Sequence, residues 1–253
     1  MFVKRLLQRH LSHGLVDALR QLRTEIAILV VHRRSTRKSR KLLGTAPVKL
    51  NCGCGPAVKR DWINVDLHKR ADLRLDLREK LPFPDSSVSF IYSEHFFEHL
   101  EHPQETGRFL GESLRVLIPG GQFRVGVPDT EWPLCDYARG IDDHFRFVRA
   151  GPYLPAYCDT KMHSINYHFR QGSEHKWAYD YETLAKVLSQ AGFSLVEKSE
   201  FDPALDSEHR RIGTLYVNAF KDAPIRHGNS GSVSVQIQSR GSQGAKRKPV
   251  HAG

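Results

Sequence analysis

Cysteine and methionine are scarce in this chain, at four and two among 253 residues. So few thiols exclude a disulfide-built scaffold, which packs cysteine far more densely. Cys52 and Cys54 are separated by a single residue, short of the gap usual in zinc-binding pairs. Reduced thiols in a cytoplasmic protein, with no metal site, are therefore expected. Long apolar runs are also missing: the longest near the basic N-terminus, IAILVV at 26–31, is too short to span a bilayer and lies too far in for a signal peptide. No sequence period of repeat-array length recurs, which excludes a solenoid or propeller.

Positive charge is plentiful but unevenly placed. The net charge is +10, yet residues 1–41 hold 11 Lys/Arg against 2 acids, residues 221–253 hold 6 against 1, and residues 42–220 hold 21 against 25. A basic total by itself would suggest nucleic acid. An acidic centre suits a cationic ligand better, so nucleic acid is not the expected partner.

Three segments follow from this distribution. Residues 1–46 read as a basic amphipathic helix and linker, because apolar residues recur at helical steps from Phe2 to Leu29 and HRRSTRKSRK at 32–41 reads as solvated linker. Such a helix either docks on the domain or lies on an anionic membrane, which makes residues 1–41 a candidate for peripheral contact with the inner membrane surface. Residues 47–220 form the expected domain. Residues 221–253, rich in Gly, Ser and Gln, cannot bury enough surface to offset ordering entropy and are expected to be disordered.

Within the domain, strands are expected at 47–51, 62–66, 71–75, 88–93, 121–127, 193–200 and 212–220, and helices at 103–117 and 180–191. PGG at 119–121 reads as a turn before a strand, and Gly192 falls just past a helix end. Strands separated by crossovers imply an α/β fold with a mostly parallel sheet, closed by a terminal antiparallel pair.

The first strand runs into VKLNCGCGP at 48–56. A dinucleotide fingerprint requires a third glycine where Val58 stands, and a phosphate loop requires Gly-Lys-Ser/Thr where Gly55 precedes Pro-Ala-Val. What remains is Gly-x-Gly after one strand and Asp66 closing the next, a carboxylate able to accept both hydroxyl protons of a ribose. Gly55 and Asp66 are only 11 residues apart, against about 20 in the dinucleotide pattern. A nucleoside without a phosphate tail fits that spacing.

VKLNCGCGP, NVDLH, LDLREKLPFPDSSVSFIYSEHFFEHL and VLIPGGQFRVGVPD, in this order, resemble the class I S-adenosylmethionine-dependent methyltransferases, especially the small bacterial type. The resemblance runs over about residues 47–220. It implies a Rossmann-like fold with S-adenosyl-L-methionine as cofactor. It places Gly53 and Gly55, with Cys52 beside them, at the amino-acid part of the cofactor and Asp66, followed by Leu67, at the ribose. Asp76 and Leu77 would flank the adenine, and Ser93 and Glu94 would end a strand at the ligand crevice. Each residue has a plainer rival: the glycines a tight turn, Asp66 a helix cap, Asp76 a pairing with Arg74 or Arg78.

HFFEH at 95–99 matches an inverted zinc-protease pattern. Its place after a strand of the sheet makes His99 a structural or cofactor-side residue instead. Residues 129–179 form an insertion whose stretch 132–179 carries 10 of the 24 aromatics, which reads as an acceptor pocket and lid. His163 and His175 in it are candidate bases for a hydroxyl acceptor. The expected function is methyl transfer to an oxygen or nitrogen of a small molecule or glycan. The alternatives are a catalytically degenerate cofactor-binding scaffold and a nucleic-acid methyltransferase docked by the basic tails.

Overall fold

The structure, a computed structural model, describes residues 12–39, 41–42, 44 and 46–222. Residues 1–11 of the expected N-terminal helix and nearly all of the tail expected at 221–253 lie outside the described residues.

The first helix, α1, spans His13–Ser39. The linker expected from residue 32 is instead its last two turns, because those turns hydrogen-bond to the domain. Asp76 N donates to His32 Nδ1 at 3.1 Å, Arg74 N to Ser35 Oγ at 3.1 Å, and Lys38 Nζ to the Asp72 carbonyl at 2.8 Å. The docked face is thus polar, while Leu15, Leu19, Leu22, Ile26 and Leu29 of the apolar stripe are exposed. Among the described residues no helix is long and apolar enough to cross a membrane.

Strands β1 (Val48–Cys52), β2 (Ile63–Val65), β3 (Val88–Glu94), β4 (Leu117–Pro128), β5 (Leu195–Ser199) and β6 (Thr214–Phe220) form one sheet in the order β2-β1-β3-β4-β6-β5. The first four run parallel, and β6 is antiparallel to both β4 and β5. This is the expected Rossmann-like sheet with its terminal antiparallel pair. The strand expected at 71–75 is reduced to a bridge between Val65 and Leu73. Its outer amides, at Arg74 and Asp76, go to α1 side chains rather than to a further strand. The PGG turn also differs, lying inside β4 as a bulge: Leu117 pairs with Val88 but Gln122 with Phe90.

Helices α2 (Gln104–Val116) and, later in the chain, the helix Tyr181–Ala191 bury Phe109, Leu110, Leu184 and Leu188. Phe123 of β4 meets Phe109 at 6.1 Å and stacks on Phe193 at 5.6 Å, tying both helices to the sheet. Gly192, at φ 110°, adopts the left-handed conformation that ends the later helix, as its sequence position predicts. The insertion is not an irregular loop but three short helices, α3 (Glu131–Arg139), α4 (Asp143–Ala150) and α5 (Lys161–Arg170), which makes the Tyr181–Ala191 helix α6. A bridge between Asp129 and Tyr179 brings its two ends together.

Candidate functional site

Two cavities open at the carboxyl ends of the parallel strands. The larger, about 550 Å³, lies against the loops after β2 and β3 and is lined by Asp66, Leu67, Asp76, Leu77, Phe96 and His99. Glu25 and Ile28 of α1 form its outer wall, so the N-terminal helix belongs to the site. Asp66 joins two loops at the rim: Oδ2 accepts from Gly55 N at 2.9 Å and Oδ1 from His68 N at 2.6 Å. Asp76 is buried and doubly bonded by Arg78, whose guanidinium also reaches Glu25 at 2.8 Å. Burial pushes the Asp76 carboxyl up, but the Arg78 hydrogen bonds prevail and hold it below the usual carboxylate range.

Gly53 sits under the Phe96 ring. A Cβ there would lie 2.3 Å from Phe96, and the residue's φ is 72°. The glycine therefore allows both a left-handed backbone and the close approach of a residue that lines the cavity.

The smaller cavity, about 250 Å³, lies between the insertion and the β5–β6 connection. Trp132, Phe147, Tyr153 and Ile212 supply apolar wall, and His95, His168, His175 and Arg210 supply polar groups. The connection is held by Arg124, buried in β4, whose guanidinium pairs with the buried Asp206 and bonds the Glu200 carbonyl at 2.8 Å. Glu94 adds a second anchor, accepting from Ser207 N at 3.1 Å and from Tyr216 Oη at 2.8 Å.

Between the cavities stands a partition of Glu98, His99 and His175. His99 faces the larger cavity and His175 the smaller. Their rings meet edge to face with centroids 5.1 Å apart. The Glu98 carbonyl accepts from Lys176 N at 2.8 Å and from Trp177 N at 3.2 Å, which brings the end of the insertion onto the turn after β3. The Glu98 carboxyl is fully enclosed, and burial raises its pKa to about 8. Burial likewise lowers the pKa of both His99 and His175 and pushes His168 down to about 3. Neutral imidazoles result at neutral pH.

Of the residues predicted from sequence, Asp66, Leu67, Asp76 and Leu77 come together on the larger cavity, with Gly53 and Gly55 linked to it through Phe96 and Asp66. Three others do not line it. Cys52 is fully buried beneath the turn, Ser93 is fully buried, and Glu94 is committed to Ser207 and Tyr216. His175 lines the smaller cavity, whereas His163 is exposed on α5, lines neither cavity and bonds Asp159 at 2.8 Å. Reading the sequence missed the contribution of α1 and the convergence of five histidines (His95, His144, His168, His175 and His209) on one cavity. The HFFEH run was visible, but nothing local signals that His175 returns to it from 76 positions beyond His99.

Residues 50–125 match the family model described as a methyltransferase domain. Over 62 residues it is 37% identical to a protein of Mycolicibacterium smegmatis named a probable S-adenosylmethionine-dependent methyltransferase; the match covers 24% of this chain and 23% of that relative. The match thus spans about a quarter of the curated relative's length. Among solved structures, an S-adenosylmethionine-dependent methyltransferase from Archaeoglobus fulgidus is similar at 18% identity and TM-score 0.44, covering 76% of this chain and 93% of that one. A Haemonchus contortus phosphoethanolamine N-methyltransferase 2 bound to S-adenosyl-L-methionine is similar at 13% identity and TM-score 0.42, covering 75% and 52%.

Proposed function

We propose that the chain is an S-adenosylmethionine-dependent methyltransferase that methylates an oxygen or nitrogen of a small molecule or glycan. The observation that carries the reading is the pair of cavities sharing one thin partition. The larger holds the residues that suit a nucleoside, and the smaller is a separate, aromatic-walled space. A sulfonium methyl lying at the partition would face an acceptor atom in the smaller cavity. With that cofactor bound, the acceptor's lone pair would attack the methyl carbon, the carbon–sulfur electrons would leave with sulfur as S-adenosylhomocysteine, and the acceptor's proton would pass to a neighbouring base or water.

For such a transfer the protein mainly supplies alignment and exclusion of water. Trp132 and Phe147 wall the acceptor side, and α1 walls the cofactor side. Asp66 supports the ribose assignment, because its oxygens are fixed by backbone amides and keep lone pairs for hydroxyl donors. His175 is the proposed catalytic residue that meets the acceptor, and its neighbours decide how it serves there. A cavity of about 250 Å³ favours one small ring or a single sugar unit over a nucleic-acid strand.

Methyl-labelled cofactor incubated with the full chain and a fractionated cell extract tests the reading. A labelled low-molecular-weight product or glycan is expected. Label appearing only in nucleic acid would overturn the acceptor class, and no transfer by a chain that binds the cofactor would leave a scaffold.

A further inference from the structure

The Glu98 carboxyl is buried, and among the described residues neither oxygen has a hydrogen-bond partner. Three imidazoles approach it: His95 Nδ1 lies 3.5 Å from Oε1, and His99 Nε2 and His175 Nε2 each lie 3.9 Å from it. What these nitrogens carry can be deduced. His99 Nδ1 is 3.1 Å from the Glu174 carbonyl and His175 Nδ1 is 2.8 Å from the His168 carbonyl. A carbonyl only accepts, so each Nδ1 bears the hydrogen and each neutral ring turns the bare lone pair of Nε2 toward Glu98.

Two lone pairs and a carboxylate aimed at one point repel one another unless something positive lies between them. A proton on Glu98 can satisfy one nitrogen. A divalent cation satisfies all three groups at once. The backbone carbonyls behind both rings are the outer partners that orient metal-binding histidines and fix their tautomer. One ligand atom from each of Glu98, His99 and His175 already lies within 4.8 Å of the other two. His95, whose non-glycine backbone is held at φ 50°, stands next to them as a fourth nitrogen, and such backbone strain is common at ligand sites.

We propose that Glu98, His99 and His175 form a binding site for a divalent first-row metal ion, of which zinc suits the ligand set best. Two imidazoles and one carboxylate are a set that catalytic zinc sites use, leaving a coordination position open. His175, which lines the smaller cavity beside His95, would bring a cation held there next to that space. This rests on reading the partition as the transfer site and refines it: His175 acts as a ligand, and the cation lowers the pKa of an acceptor hydroxyl. The proposal departs from the expectation of no metal and from the reading of His99 as a structural or cofactor-side residue, because His175, distant in sequence, supplies a second imidazole beside Glu98. HFFEH contributes Glu98 and His99 from a short turn rather than a protease helix.

The test uses untagged full-length chain, stripped with chelator and reloaded separately with zinc, cobalt(II), manganese or iron(II), then desalted for metal analysis. About one equivalent of zinc or cobalt should be retained by the wild type, and retention should fall at least about tenfold in Glu98→Gln and in His99→Gln. His163→Ala should retain metal like the wild type. S-adenosylhomocysteine is titrated into every sample as an independent check on folding and on the cofactor site. Wild-type chain that binds S-adenosylhomocysteine but retains none of the four metals overturns the metal site and leaves the methyltransferase reading standing, as does retention unchanged in both variants. Metal retained without S-adenosylhomocysteine binding supports the site and overturns the methyltransferase reading. Should both variants fail to fold, the visible spectrum of the cobalt-loaded wild type decides: bands of a low-coordinate nitrogen and oxygen site support the proposal, and the spectrum of hydrated cobalt overturns it.

Discussion

His99 and His175, which come from segments far apart in the chain, meet edge to face at 5.1 Å, each with Nδ1 bonded to a backbone carbonyl. This contact separates the larger from the smaller cavity at the strand ends, the proposed cofactor and acceptor sides. It also separates the two candidate catalytic histidines, because His163 has no place in it. Once an acceptor is known, His175→Ala should lower single-turnover rates at least about a hundredfold, while His163→Ala leaves them near wild type. Equal loss in both variants, or in neither, would contradict the assignment.

Gly53 should tolerate no side chain. In Gly53→Ala the new Cβ would lie 2.3 Å from Phe96 at a φ of 72°, a clash added to backbone strain of about 1–3 kcal/mol. Thermal unfolding and S-adenosylhomocysteine titration of Gly53→Ala and of the double variant with Phe96→Gly, which removes the Phe96 Cβ that the new methyl would meet, check this. The double variant should regain part of the lost stability, since the strain in φ remains. A Gly53→Ala protein as stable as wild type would refute the close approach.

The seating of α1 should depend on pH. The folded pKa of Asp76 is depressed, so its pairing with Arg78 contributes stability that is present above the ordinary carboxylate value of about 3.9 and is lost as pH falls through the folded value. Hydrogen exchange along residues 25–39 should therefore be slow at neutral pH and accelerate below about pH 4 before the sheet opens. In Arg78→Ala it should be fast already at neutral pH. Unchanged protection in that variant would show that the helix is held by other contacts.

Arg124 should anchor the acceptor side without touching it. Replacing it by Met leaves Asp206 buried and unpaired, at a cost of about 3–5 kcal/mol. The segment carrying His209 and Arg210 into the smaller cavity should loosen, so turnover should fall with little change in S-adenosylhomocysteine affinity. A parallel loss of cofactor affinity would place Arg124 in a different role.

Much of the fold was legible because period-2 apolar runs and turn residues report local structure directly. The failures share one cause. The strand at 71–75 and the linker at 32–41 were misjudged together, because each hydrogen-bonds to the other: Ser35 and His32 take the amides of Arg74 and Asp76. Pairing across some 40 positions leaves no local trace. The glycine turn and Asp66 lie where the sequence placed them, at the ends of β1 and β2 beside the larger cavity, whereas Asp76 follows a single bridge rather than a strand. Glu94 also ends a strand, yet Ser207 and Tyr216 claim it from 113 and 122 residues away. The aromatic insertion was seen as a pocket, but its helices were not, since short amphipathic segments rich in histidine and aromatics give weak periodicity.

Calorimetric titration of S-adenosylhomocysteine into the full chain, wild type and Asp66→Ala, tests the central claim most directly. The wild type should bind at a single site. Asp66→Ala should bind more weakly by the worth of its charge-assisted hydrogen bonds, roughly 1.5–3 kcal/mol each, with its melting temperature recorded to separate lost contacts from lost loop order. Folded wild-type protein that takes up no S-adenosylhomocysteine, or an Asp66→Ala variant of equal affinity, would contradict the account.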